Sequence, residues 1–159
     1  MRPLNKVLPS KIFLLAGLAL FSCSQKNDQP DNAKPAVKDV STKFTQYYVK
    51  GEQLYLTNCS NCHQKNGRGL GLIYPPLDTS DYMRNNVRGV LCLIRNGKSG
   101  ELSVNGKSFN QKMPGVANLS DLEIAEIATY IYNSWSHDVG IIDVKEASKI
   151  LASCDSLPK

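Results

Sequence analysis

Imidazoles are nearly absent from this 159-residue chain, which has two histidines, His63 and His137. No Ser/His/Asp set is visible, and only these two could serve as imidazoles in catalysis. Methionine is as scarce, with Met1, Met83 and Met113 making up the total of three. Long apolar runs are missing too: Ile12 to Phe21 is a run of ten residues, too short to cross a bilayer as a stable helix. A strong charge of one sign is also lacking. The formal charge of +5 includes Arg2, Lys6 and Lys11, and without them 16 basic residues face 14 acidic ones, leaving about +2. That balance argues against a nucleic-acid partner. Hydrophobic content of 42% and charged content of 21% fit one ordinary globular domain.

What is present at the start is a basic segment followed by the ten-residue apolar run, the pattern of an export signal. It ends in Leu20-Phe21-Ser22-Cys23, which resembles the bacterial lipoprotein signal, although Phe21 is bulkier than the residue usual there. The resemblance implies cleavage after residue 22 and a lipid on Cys23; the alternative is an ordinary cleaved signal with an incidental cysteine. Residues 24–42 show no apolar periodicity and are rich in Asn, Asp, Gln, Lys and Pro, so residues 23–42 read as a flexible tether. The expected organisation is a signal at 1–22, a lipid-anchored tether at 23–42 and one domain at 43–159. That domain would lie on the periplasmic or cell-surface side of a bacterial membrane.

Cys59-Ser60-Asn61-Cys62-His63 is the C-x-x-C-H pattern of covalent haem attachment. Two thiols at this spacing reach two vinyl groups of one porphyrin while the adjacent imidazole reaches the iron from the same side. Two other chemistries use similar residues: a thioredoxin-type redox pair, and a zinc site completed by a distant cysteine. The redox pair should open a helix after a strand. Here the twelve residues before Cys59 instead carry Tyr47, Tyr48, Gly51, Leu54 and Tyr55 on one helical stripe.

Gly51, Tyr55, Cys59, Cys62 and His63 together resemble the first helix and attachment loop of class I cytochromes c. The resemblance covers about residues 44–138. It implies an all-α class I cytochrome c fold and one covalent haem c. It also implies a close crossing of the first helix over a C-terminal one, for which Ser120 to Trp135 qualifies. Ser120 and Glu123 form a capping-box pattern there, and Ile127 and Tyr130 are the expected contacts for Gly51 and Tyr55. In the family a Pro carbonyl accepts the Nδ1 proton of the haem histidine, which points to Pro75 or its neighbour Pro76, with Pro75 preferred.

Between these helices, the glycine-rich stretch Asn66 to Gly71 has no Walker lysine and follows no strand, so it reads as backbone passing close to the porphyrin. Arg84 to Asn96 reads as a helix ended by Gly97, with Val87, Val90, Leu91 and Ile94 buried and Arg84, Arg88 and Arg95 clustered on another face. Val104-Asn105-Gly106-Lys107 is a hairpin turn signal. Met113 follows, 50 residues beyond His63, and Pro114 holds it extended. It is the expected sixth iron ligand, with Met83, His137 or an open site as alternatives. Cys92 and Cys154 stand outside the haem motif in an exported chain and are expected to pair as a disulfide. Asp143 to Ser153 reads as a short final helix.

The implied function is single-electron transfer between exported or membrane redox partners such as a terminal oxidase, reductase or dehydrogenase, without catalysis. The alternative is the haem electron-acceptor subunit of a dehydrogenase or reductase complex.

Overall fold

The computed structural model describes residues 38–154. The expected signal at 1–22, Cys23 and most of the expected tether lie outside the described residues. Six helices occur among those described: α1 Lys38–Asn58, α2 Ser60–His63, α3 Asp81–Arg84, α4 Val87–Asn96, α5 Asp121–Ile131 and α6 Val144–Leu151. Four short strands lie between α4 and α5: β1 Gly97–Lys98, β2 Leu102–Val104, β3 Lys107–Phe109 and β4 Met113–Pro114. No described helix is long and apolar enough to cross a membrane.

The crossing of α1 over α5 is the most extensive helix contact. Gly51 makes it possible: a Cβ there would stand 2.0 Å from the Glu126 carbonyl oxygen and 2.9 Å from Tyr130 Cβ. Gly51 thus admits the backbone of Glu126 and the Cβ of the expected Tyr130. Tyr55 packs on Tyr130 with ring centroids 5.3 Å apart, and Tyr47, Tyr55, Ile124, Ile127 and Ala128 are buried in the core between the helices. The capping box at the start of α5 is complete, with Ser120 Oγ accepting from the Glu123 amide and the Glu123 carboxylate accepting from the Ser120 amide.

Several boundaries differ from the sequence reading. Helix α1 begins at Lys38, inside the stretch 23–42 assigned to the tether. The helix expected over Arg84 to Asn96 is two helices, because the Asn86 side chain accepts from the Gly89 amide at 2.9 Å and caps a new start. Arg84 is thus on α3, apart from Arg88, which donates to the Ser153 carbonyl, and Arg95, which pairs with Asp121. The helix expected to run to Trp135 stops at Ile131. Past that point the Asn133 side chain donates to the Thr129 and Gly140 carbonyls and accepts from the Gly140 amide, and Trp135 turns into positive φ at 56°.

The hairpin forms as expected, with β2 antiparallel to β3 and Asn105 and Gly106 both at positive φ, the requirement of a tight two-residue turn. A second pairing was not foreseen: β1 is antiparallel to β4, with Gly97 opposite Pro114 and Lys98 opposite Met113. On the outer side, α6 is capped by Asp143 and tucks Ala147 into the core. A disulfide joins Cys92 of α4 to Cys154 after α6, with Cα atoms 5.4 Å apart.

Candidate haem site

Helix α1 breaks at Cys59 and restarts at once as the single turn α2. The His63 amide donates to the Cys59 carbonyl at 3.0 Å and the Cys59 amide to that of Tyr55 at 2.8 Å, so both cysteines and the histidine sit on rigid backbone. Beyond His63 the chain reverses at Gln64, at φ 63°, where the buried Tyr55 hydroxyl donates to the Gln64 carbonyl at 2.6 Å. Two of the glycines that follow are required by protein neighbours. A Cβ on Gly67 would lie 2.7 Å from the Trp135 ring, and one on Gly69 would lie 2.2 Å from the Tyr74 carbonyl oxygen. They admit an indole and a neighbouring backbone.

Closing this loop brings Pro75 over the imidazole. His63 Nδ1 stands 3.0 Å from the Pro75 carbonyl oxygen, which can only accept, so Nδ1 carries the proton and Nε2 keeps its lone pair. Burial holds the imidazole below its ordinary pKa, partly opposed by the bond to Pro75, and keeps it neutral. Pro76 lines a nearby cavity.

Two adjoining cavities share His63, Pro75, Leu93, Leu102 and Met113 in their walls. Cys59 borders one, with Met83, Val90 and Ile127; Cys62 borders the other, with Tyr74, Lys98 and Phe109. The two thiols therefore flank the imidazole, and Met113 belongs to both spaces. Met83 borders only the first and is 2% exposed. His137 lines neither, and its Nε2 is engaged by the Leu77 carbonyl at 2.9 Å.

The competing chemistries fit poorly. Burial, with the neighbouring Cys62, pushes the Cys59 thiol up to about 12, whereas a nucleophilic C-x-x-C cysteine needs its thiolate favoured. The motif also follows a helix rather than a strand. For zinc, Cys92 and Cys154 are spent on each other, and among the described residues no group of three or more His, Cys, Asp and Glu could hold a metal ion. A porphyrin fits the donors present: two unpaired thiols, one neutral nitrogen, one thioether and walls that are mostly hydrocarbon.

The family model for cytochrome c matches residues 48–135. The chain belongs to the cytochrome c family. Its cofactor is accordingly covalent haem c, and its fold that of the class I cytochromes c. Over 89 residues it is 33% identical to cytochrome c-552 of Thermus thermophilus, covering 54% of this chain and 67% of that protein. A second cytochrome c-552 of that species is matched at the same identity over 60% of its length. The cytochrome c subunit of a quinone-type alcohol dehydrogenase from Gluconobacter oxydans is 26% identical over 102 residues, which are 63% of this chain and 21% of that subunit. The chain thus spans about two thirds of its relatives' length or less.

Some features near the cavities and on the surface had little or no signal in the sequence. Lys98 is brought to Met113 by the β1–β4 pairing, and Tyr74 shares a cavity wall with Cys62. Leu70, Leu72 and Ile73 are 49%, 67% and 51% exposed on a tip closed by the Leu70–Tyr74 bridge. Only the tip had a visible signal, three apolar residues among glycines.

Proposed function

We propose that this cytochrome c is a single-electron carrier in which Cys59 and Cys62 would hold the haem by thioether bonds and His63 and Met113 would be the ligands of its iron. The group supplies a one-electron couple at its iron. What the chain's own residues do follows from their setting. Pro75 fixes the His63 tautomer, so the ring presents Nε2. The thioether of Met113 favours the reduced state relative to a second nitrogen ligand and sets a higher potential. Were His63 and Met113 both to hold the iron, no place on it would remain for a substrate, which is the reading of a carrier rather than an enzyme.

The observation that carries this reading is the bond of His63 Nδ1 to the Pro75 carbonyl, in a cavity wall that also contains Met113. Covalent attachment is tested on the purified protein. Acidified organic solvent removes haem that is merely bound; here the colour should stay with the polypeptide at one haem per chain. Haem released into the solvent would refute the thioether assignment.

The exposed tip at Leu72 and Ile73 supports a redox partner docking there. The likeness to a dehydrogenase's cytochrome c subunit favours a second reading, in which that partner is a catalytic subunit and this chain accepts its electrons. Export and a lipid on Cys23 belong to the same proposal. They are supported by the signal pattern of residues 1–22 and by the Cys92–Cys154 disulfide, a bond of oxidising compartments. A Cys23→Ser variant should leave the membrane fraction or stay unprocessed, and normal cleavage with unchanged membrane retention would count against the anchor.

A further inference from the structure

Met113 does not reach the cavity on a free loop. Its strand β4 lies across the exit of α4, and two glycines make that crossing possible. Gly97 ends α4 at φ 75°, its amide donating to the Leu93 carbonyl. A Cβ there would stand 2.4 Å from the Met113 carbonyl oxygen and 2.5 Å from the Gly115 nitrogen. A Cβ on Gly115 would stand 2.6 Å from the Arg95 carbonyl oxygen and 2.8 Å from the Gly97 nitrogen. Each glycine thus fills the place where the other's side chain would be. The contact is completed by the Val116 amide donating to the Ile94 carbonyl at 2.8 Å and by the pairing of Lys98 with Met113.

His63 and Met113 are anchored to different parts of the frame. His63 belongs to the α1–α2 turn and the Pro75 loop, Met113 to the end of α4. Helix α4 is in turn fixed by Val90, Leu91 and Ile94 in the core. Leu93 and Ile94, which accept the two bonds closing the clasp, also line the cavity. We infer that Gly97 and Gly115 are positioning residues for Met113: their backbone-to-backbone contact sets where the thioether stands opposite His63. This deepens the proposed function and rests on Met113 as the sixth ligand. Gly115 is the cleaner probe, because its constraint is space, whereas Gly97 also needs positive φ.

The test compares Gly115→Ala with wild type, Met113→Ala and Gly106→Ala. Gly106 sits in the hairpin turn at φ 70° with nothing within 4 Å of its place for a Cβ, so its variant strains the backbone without touching the clasp. Oxidised protein is examined for the near-infrared sulfur-to-iron band and for the affinity of added imidazole, which binds only where the thioether has left and so reports that population. Gly115→Ala should keep its covalent haem and helical circular dichroism, weaken or lose the band and bind imidazole about tenfold more tightly or better. Gly106→Ala should match wild type in both. A wild-type band and imidazole affinity in Gly115→Ala, with the band lost in Met113→Ala, would overturn the clasp and leave the ligand assignment standing. A band that survives in Met113→Ala would overturn both.

Should Gly115→Ala yield no holoprotein, amide hydrogen exchange on wild-type protein decides. The Val116 amide should exchange as slowly as the interior of α4, and exchange at loop rates would overturn the inference.

Discussion

Met113→Ala is expected to lose the near-infrared sulfur-to-iron band and to lower the reduction potential on the order of 0.1 V or more, within the roughly 0.8 V that axial ligands span. The direction follows from exchanging a thioether, which raises the potential, for water or a nitrogen donor. Neither His137 nor Met83 is set to replace it. His137 lines neither cavity and its Nε2 is held by Leu77; Met83 is packed in the core, its carbonyl accepting from Tyr132 at 2.9 Å. The companion Met83→Ala should do the reverse. It should keep the band while losing about 2–5 kcal/mol of stability, the cost of emptying a buried methionine site. A band that persists in Met113→Ala and disappears in Met83→Ala would exchange the two assignments.

The helices were legible in the sequence because their signals are local and periodic. The stripe ending at Tyr55 is α1, and Ser120 with Glu123 is the start of α5. The attachment turn was legible for the same reason, since Cys59, Cys62 and His63 are contiguous. Errors fall where one side chain outcompetes a helix for backbone partners. Asn86 divides the helix expected from Arg84, and Asn133 ends the one expected to reach Trp135. Nothing in the periodicity of those stretches signals that the amide side chain prevails.

The setting of Met113 was hidden for another reason. Pro114 predicts an extended backbone but not its neighbour, and β1 and β4 are two residues each, too short for an alternating pattern. The pairing depends on Gly97 and Gly115 meeting across a long separation in sequence. The glycines at 67 and 69 gave a true signal of close approach, yet what approaches, Trp135 and the Tyr74–Pro75 backbone, could only come from the folded chain.

A large effect on stability is expected from the bond between Cys92 and Cys154. Its 62-residue separation removes enough freedom from the unfolded chain to contribute about 4 kcal/mol on the chain-entropy model. That is a large share of the roughly 5–15 kcal/mol typical of a domain. The bond pins a short helix: α6 has eight residues and is not preserved by its own propensity. It holds to the body through Ala147 in the core, the Arg88 bond to the Ser153 carbonyl and the disulfide. The double variant Cys92→Ser with Cys154→Ser leaves no lone thiol to mispair, and its denaturant midpoint should fall accordingly. Amides of α6 should exchange faster than those of α1 and α5, because the outer helix loses its covalent tie while the α1–α5 crossing keeps all its contacts. The near-infrared band should persist, since Gly97 and Gly115 rather than the two sulfurs hold the Met113 strand. An unchanged midpoint in the double variant, or two free thiols counted in unreduced, denatured wild-type protein, would remove this bond from the account of stability.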